Sequence, residues 1–457
     1  MSGPSVDRTL PDGVTRMEIT AWAAGGRGLG RVDGRVWMVA GAVPGDDVNA
    51  RVSKDHGRFV EAVADSLERQ SHFRRATPCP IQVECGGCPM MVVDEESQRR
   101  AKRQFLVDAL QRIGRLPSGI PVDEVIAAPN DLGYRNKVEL SFGRDPSARA
   151  VLGFHRSGRP AVLVDVQDCA IADPRLRPLL AAARAFFLEG PGATEPAIQG
   201  GAEHVRLVLR CSHTGNERLV ALRGLAGTFT TAAEFAQVAA DADPGLVGVV
   251  RLVAPRGRRG GAVVETIAGR DWIAEVLHGV AFRVPAGTFL QVHASAAEAL
   301  GRHVLEGAGS PRRVLELYGG IGALGLALAR GGALATIVDA DEAAIACGTD
   351  AARAQGLASA AFVHADVFSF LQSPREAITP DLVIADPPRT GLGRGVAERL
   401  ATLGAPRIAM ISCDPATLAR DLAALTAGGY SIERVTPFDL FPQTAHVEAV
   451  AWLSRRP

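Results

Sequence analysis

Cys413 lies in Ser412-Cys413-Asp414-Pro415, at the end of an apolar run over residues 407–412. Glu448 follows 35 residues later, closing Phe441-Pro442-Gln443-Thr444-Ala445-His446-Val447-Glu448. Such a run predicts a buried strand, and open α/β sheets carry reactive groups at the carboxyl ends of their strands. A thiol there, with a carboxylate held close, makes a nucleophile and base pair. The pair suits an electron-poor ring. Addition of the thiolate at one carbon makes the next carbon nucleophilic, and the base then removes a proton from it. The thiol itself is a poor nucleophile, so the surroundings of Cys413 are expected to favour the thiolate. A lone cysteine is more often a small buried hydrophobe; the neighbouring motifs raise Cys413 above that reading.

Val314-Leu-Glu-Leu-Tyr-Gly-Gly-Ile-Gly-Ala-Leu-Gly325 reads as strand, glycine turn and helix. Glycines let a cofactor approach the backbone, and a helix N-terminus offers free N–H groups. Asp339, ending the next strand, is placed to accept ribose hydroxyls, and Asp366, after the third, to face an adenine amino group. These positions suit a dinucleotide and S-adenosylmethionine alike. Asp386-Pro387-Pro388-Arg389 ends the fourth strand, where two prolines forbid helix and fix an extended turn. An Asp-Pro-Pro there suits the grip of a planar substrate beside a methyl donor.

Seven cysteines include three within ten residues, Cys79, Cys85 and Cys88, and Cys169 is the best fourth ligand. With no secretory signal this argues for metal rather than disulfides. Four thiolates suit Zn²⁺ or a 4Fe–4S cluster, and three ligands followed by a distant one favour the cluster. Cys211 and Cys347 read as unligated structural residues.

The elements that must position these groups follow from composition and pattern. The 457 residues, 47% apolar, predict a globular chain of about three domains. The absence of an apolar leader or spanning run predicts a soluble, cytoplasmic protein. Zero net charge gives no overall pull toward nucleic acid. Basic clusters (Arg74-Arg75; Arg99-Arg100 with Lys102-Arg103; Arg256 with Arg258-Arg259) read individually as solvated faces. Residues 15–67 alternate short β-rich runs with glycines, predicting a small barrel in which Gly25-Gly26 and its neighbours serve as barrel turns. Residues 71–292 open with the cysteines and an amphipathic helix over 97–113. Alternating runs such as 138–142 and 204–210 then predict antiparallel strands with one wet face, and residues 179–187 and 229–240 predict helices. From residue 294, runs at 314–317, 335–338, 382–385 and 408–411 alternate with helical segments, predicting a parallel, doubly wound sheet. The alternating run 446–452 predicts a late antiparallel strand.

Together these motifs resemble the RNA uracil-5-methyltransferase family, in its iron–sulfur branch with an N-terminal TRAM domain. The resemblance covers nearly the whole chain. It includes the Pro44-Gly45-Asp46 turn, the four cysteines, Tyr134-Arg-Asn-Lys137, Phe289-Leu-Gln-Val292, the glycine turn, Asp-Pro-Pro-Arg389, Ser412–Pro415 with Leu418-Ala-Arg-Asp421, and Phe441 to Glu448. It implies a TRAM RNA-binding barrel (12–67), a central α+β domain with the cluster (68–293) and a Rossmann-like S-adenosylmethionine methyltransferase domain (294–457). By the same resemblance Cys413 is the nucleophile that adds to uridine C6, Glu448 the base that removes the C5 proton, and Asp386 the residue that orients the uracil. Gln291, Tyr318, Ala323, Asp339, Asp366 and Asp386 fall where the family binds S-adenosylmethionine. Cys79, Cys85, Cys88 and Cys169 match its 4Fe–4S ligands. The implied substrate is a uridine of structured RNA, 23S ribosomal RNA before transfer RNA, methylated by a cytoplasmic monomer. The chain departs from the family at Glu316 (usually Asp), Gly319 (Cys), Asp339 (Glu), His293 (Asn) and Ala323 (polar). These changes bear on donor geometry and affinity and leave Cys413, Asp386 and Glu448 intact. An RNA cytosine-5-methyltransferase would share the cysteine chemistry, but its motifs differ around the cysteines. A non-catalytic RNA-binding or chaperone protein with a degenerate donor site finds support only in the altered glycine turn.

Overall fold

The computed structural model describes residues 14–145, 147, 149–157, 159–195, 205–224, 229–253, 263–372 and 379–456. The Arg256–Arg259 cluster, His204, and residues 12, 13 and 457 lie outside the described residues.

Strands β1 (Val14–Ala23), β2 (Arg27–Val32), β3 (Arg35–Ala40), β4 (Asp47–Asp55) and β5 (Phe59–Arg69) close into a barrel in the order β1-β2-β3-β5-β4. Burial alternates along β1, so Met17 and Ile19 meet Trp37, Val39, Val48 and Val60 inside. Asp46 pins the barrel to the chain that follows. It is fully buried and accepts from Val43 N at 2.7 Å, Ser71 N at 2.9 Å and Arg74 Nη2 at 2.7 Å. Helix α1 (Glu95–Arg112) starts two residues earlier than its pattern predicts, because Asp94 caps it by accepting from Ser97 N at 2.8 Å.

The central sheet has seven strands: β6 (Lys137–Arg144), β7 (Ala150–Arg156), β8 (Arg159–Asp165), β9 (Arg206–Cys211), β10 (Arg218–Gly224), β11 (Leu246–Val253) and β12 (Val263–Gly269). Their order is β12-β11-β10-β9-β6-β7-β8, antiparallel except for β10 beside β11. Helices α2 (Arg177–Arg184) and α3 (Ala232–Ala242) cover one face. A π-helical turn (Ala185–Glu189) continues α2, and the two together cover the whole predicted span 179–187, whereas α3 begins three residues after residue 229. The predicted wet face survives in part on β6, where half-exposed Lys137 and Glu139 alternate with buried Val138 and Leu140, but it is covered on β9. A hairpin, β13 (Trp272–Leu277) and β14 (Val280–Pro285), lays Ile273, Val280 and Phe282 over Val208, Leu219, Ala221 and Val250. Strand β9 is consequently buried on both sides.

The last region runs α4 (Ala294–Ala308), β15 (Arg313–Leu317), α5 (Ala323–Arg330), β16 (Leu334–Asp339), α6 (Glu342–Ala354), β17 (Ala360–His364), α7 (Val367–Gln372), β18 (Leu382–Ala385), α8 (Val396–Leu403), β19 (Arg407–Ser412), α9 (Pro415–Ala427), β20 (Tyr430–Phe438) and β21 (Glu448–Arg455). The sheet order is β17-β16-β15-β18-β19-β21-β20. Strands β15 to β19 are parallel, and the four apolar residues of β18 are all buried, as a strand covered on both faces requires. From β15 the chain winds outward through β16 and β17, then returns to β18 on the other side. The carboxyl ends of β15 and β18 therefore flank a crevice at the switch point. Strand β21 enters antiparallel between β19 and β20, and its first six residues are buried. The alternation read in residues 446–452 is thus not one of exposure, since neighbours and layers cover both faces.

Candidate active site

Strand register brings the acceptor residues together. Ala385 pairs with Met410 and Ser412 with Ala449, so Asp386, Cys413 and Glu448 leave one edge of three adjacent strands. Only an antiparallel β21 does this, because it sets the start of one strand beside the end of another. Asp386 and Cys413 are half-buried, and Glu448 is 1% exposed, its Oε2 without a partner among the described residues.

Three acids share this small volume. Burial, then Glu448, pushes the Cys413 thiol up to about 11, with Asp386 adding to the effect. Burial lifts Asp386 to about 7. Burial, then Asp386, holds the Glu448 carboxyl well above the usual carboxylate range. The surroundings of Cys413 therefore favour the thiol rather than the thiolate expected from the motif. Removal from water and two neighbouring carboxyls outweigh the opposing charge of Arg389. Arg389 is exposed, and its Nη2 lies 3.4 Å from His446 Nε2. A guanidinium only donates, so that imidazole nitrogen accepts and the ring is neutral. Both residues sit inside motifs read from the sequence, yet neither drew a role there. Their signal was one cation, inside the Asp-Pro-Pro-Arg turn, facing several acids.

Of the residues expected to hold a donor, Tyr318, Ala323, Asp339 and Asp366 lie just beyond or at the ends of β15, β16 and β17. Tyr318 follows β15 at φ 56° and donates from its hydroxyl to Leu392 O at 2.5 Å. Gly320 and Gly322 also have positive φ, and a Cβ on Gly322 would meet the Phe362 ring at 2.8 Å. Ala323 is the first residue of α5, whose N-terminus has no side-chain cap. Asp339 ends β16, accepting from Gly320 N at 2.8 Å and Asp341 N at 2.8 Å, so its carboxylate braces the glycine turn. Asp366 follows β17 and accepts from Ser369 N at 3.0 Å, capping α7; burial lifts the Tyr318 hydroxyl, and the charge of Asp366 adds to it. Gln291 hangs from the central sheet, its backbone oxygen accepting from Asn136 Nδ2 at 3.2 Å; its neighbour Leu290 packs on the same core as Ala323. Glu316 is held below the turn, and burial pushes it up to about 8, so a largely neutral carboxyl accepts from Gly325 N at 2.8 Å. This departure from the family pattern has a structural use that its position in the sequence did not reveal.

Cys79, Cys85, Cys88 and Cys169 are half-buried free thiols in one neighbourhood. Cys79, Cys88 and Cys169 pack around Met91, Tyr134 and Ile171. Burial, then Cys169, Cys85 and Cys79, pushes Cys88 up to about 12. Yet among the described residues no three His, Cys, Asp or Glu are arranged to hold a metal ion. The thiols converge without forming a single-ion site. Cys211 and Cys347 are buried elsewhere, Cys347 donating to Arg283 O at 3.2 Å. Two predicted solvated clusters also prove structural in part. Arg74 binds Asp46, and Lys102 is fully buried against Asp439 at 2.5 Å.

Residues 366–456 match the model of the tRNA (uracil-5-)-methyltransferase family, and residues 293–404 match that of conserved hypothetical protein 95. An uncharacterized RNA methyltransferase of Gloeobacter violaceus is 38% identical over 447 residues, 96% of this chain and 95% of that protein. Another, from Thermosynechococcus vestitus, is 36% identical over 450 residues, 94% and 95% of the two chains. The crystal structure of Pyrococcus abyssi tRNA (uracil-54, C5)-methyltransferase, in complex with S-adenosyl-L-homocysteine, shares the fold: its TM-score is 0.74 at 24% identity, covering 96% of this chain and 100% of that one. Among the described residues no helix is long and apolar enough to cross a membrane. With near-complete alignment to such relatives and a family model lying over Asp386, Cys413 and Glu448, the chain belongs to the RNA (uracil-5-)-methyltransferase family and is an enzyme of methyl transfer.

Proposed function

We propose that this protein transfers the methyl group of S-adenosylmethionine to C5 of one uridine in structured RNA, through a covalent bond from Cys413 to C6. The observation that carries this is the meeting of Cys413, Asp386 and Glu448 on one sheet edge, with Glu448 Oε2 buried and unpartnered. Cys413 loses its proton to solvent as RNA binds, and the thiolate adds to C6, moving the ring electrons to C5. Asp386, poised near neutrality, orients the uracil edge, accepting from N3–H as carboxylate or donating to a ring carbonyl as acid. S-adenosylmethionine supplies an electrophilic methyl, so C5 gains a C–CH₃ bond and the donor leaves as S-adenosylhomocysteine. Glu448 then takes the C5 proton, the C5=C6 bond re-forms and the C6–S bond breaks. Arg389 balances the charge that remains. Gln291, Tyr318, Ala323, Asp339 and Asp366 cradle the donor.

C6 is out of reach inside a duplex, so the target is a base swung out of a single-stranded loop. We place it in 23S ribosomal RNA, bound in part by the barrel (residues 12–67) as a TRAM domain. The match to the tRNA (uracil-5-)-methyltransferase family and the shared fold of a transfer RNA enzyme favour transfer RNA as the second reading. Incubation with methyl-labelled S-adenosylmethionine and total RNA from cells lacking the gene, followed by mapping of 5-methyluridine, separates them. Label at one uridine, absent with Cys413→Ala, is the expected result. RNA binding with no label from the intact protein would favour a binding or chaperone role instead.

We further assign Cys79, Cys85, Cys88 and Cys169 to a 4Fe–4S cluster, supported by three-plus-one spacing and a shared half-buried neighbourhood. These thiolates would tie residues 79–88 to residue 169, a structural part outside the chemistry. Iron and sulfide content of anaerobically purified protein, lost in Cys88→Ser, tests the assignment.

A further inference from the structure

Glu448 opens β21, but the loop before it, residues 439–447, is held largely by chain that lies more than 300 residues upstream. Lys102 of α1, fully buried, donates from Nζ to Asp439 Oδ1 at 2.5 Å and Phe441 O at 2.9 Å. One helical turn before it, Gln98 meets Gln443 twice. Its Nε2 donates to Gln443 Oε1 at 2.9 Å, and its Oε1 accepts from Gln443 N at 2.9 Å. Three more bonds finish Gln443: Arg75 Nη2 donates to its Oε1 at 3.0 Å, Met90 N to its O at 3.0 Å, and its Nε2 donates to Asp131 O at 3.2 Å. Tyr134 adds a bond to Pro442 O at 3.0 Å. Gln443 is fully buried at φ 70°, a left-handed conformation that a glutamine keeps only where its surroundings over-determine it. The loop's own polar contacts are few: Thr444 N and Oγ1 donate to Phe441 O, and His446 N donates to Thr444 Oγ1.

We propose that Gln98 and Lys102 are positioning residues for proton removal: by locking residues 439–447 onto α1 they fix the direction of the Glu448 carboxylate without touching either substrate. The proposal rests on the reading of Glu448 as the base. A misdirected base leaves thiol addition and methyl transfer possible but stalls the last step. The methylated ring then stays bonded to Cys413. A brace that served stability alone would lower the folded fraction and leave the division between steps unchanged.

The test compares wild type, Glu448→Gln, Gln98→Leu and the double variant Lys102→Met/Asp439→Leu. The double variant removes both buried charges together, so no lone ion remains in the core. Each protein, at equal folded fraction by thermal unfolding, is incubated with methyl-labelled S-adenosylmethionine and total RNA from cells lacking the gene. Released 5-methyluridine and denaturant-resistant methyl label on the protein are both counted. Glu448→Gln is expected to hold label on the protein. Gln98→Leu and the double variant are expected to lose about 100-fold in kcat, as small misplacements of reacting groups do, with KM for RNA unchanged and labelled adduct raised. Adduct with Glu448→Gln but none with the α1 variants overturns the positioning role alone, as does wild-type turnover in both. No adduct with Glu448→Gln removes the base reading, and the positioning role falls with it.

Discussion

The two halves of the sheet edge are built from different materials. On the donor side, β15 to β17 end in a surface shaped by backbone: Gly320, Gly322 and Tyr318 at positive φ, and an uncapped helix start at Ala323. Asp339 spends its carboxylate bracing that backbone. On the acceptor side, β18, β19 and β21 end in side chains removed from water: burial pushes Asp386, Cys413 and Glu448 all toward their protonated forms, and repulsion adds to this at Cys413 and Glu448. A binding surface tolerates replacement of side chains where the backbone makes the shape. A reacting centre does not, because its charges are set by their neighbours.

The contrast is broken most completely at Cys413. Cys413→Ala is expected to abolish methylation while the affinity for S-adenosylmethionine, measured by equilibrium dialysis, stays that of wild type.

Glu448→Gln comes next, with kcat lowered about 10²- to 10⁴-fold, the usual contribution of a positioned general base. It is also expected to stabilise the protein at neutral pH. The folded-state pKa of Glu448 lies above its unfolded value, so the wild type is relatively most stable in acid. It loses that contribution as pH rises from the ordinary carboxylate range through the raised folded value. A glutamine has no such loss, and the gap in Tm between variant and wild type should widen over that interval.

The pH profile gives a smaller and more discriminating effect. With the thiol at about 11 and both carboxyls raised, kcat/KM for RNA is expected to climb steadily from neutral into alkaline solution. Arg389→Met removes the opposing cation and should move that rising limb to higher pH, while donor affinity stays unchanged. A limb that does not move would place Arg389 outside the electrostatics of the site.

Asp339→Asn sharpens the comparison from the donor side. Losing charge-assisted bonds to Gly320 N and to the donor is expected to raise KM for S-adenosylmethionine about tenfold. The rate at saturating donor should hardly change. A fall in kcat as large as that of Glu448→Gln would mean that the two halves are not separable.

The same division governs what the sequence revealed. Strands β15, β16, β18 and β19 were legible because parallel strands covered on both faces must be short and largely apolar, as are Leu382–Ala385 and Val314–Leu317, the latter interrupted only by Glu316. The barrel was legible from glycine and aspartate turns. What failed depended on distant partners. Alternation in β9 suggested a wet face because nothing local announces that Ile273 and Phe282 will cover it. Lys102 read as one more surface cation, although it is buried with Asp439. The place of Cys413 at a strand end was legible in its motif, but its acidity was not. That property belongs to three strand ends and the water they exclude.

Lys102 and Asp439 are 337 residues apart, and Gln98 and Gln443 are 345. Contacts of such sequence separation close late, after the loops they span have lost their entropy. During refolding from denaturant, helix and sheet signals should therefore recover before methyl transfer does. If α1 positions Glu448 as proposed, catalysis is a record of assembly history: turnover begins only when chain made early has found chain made late.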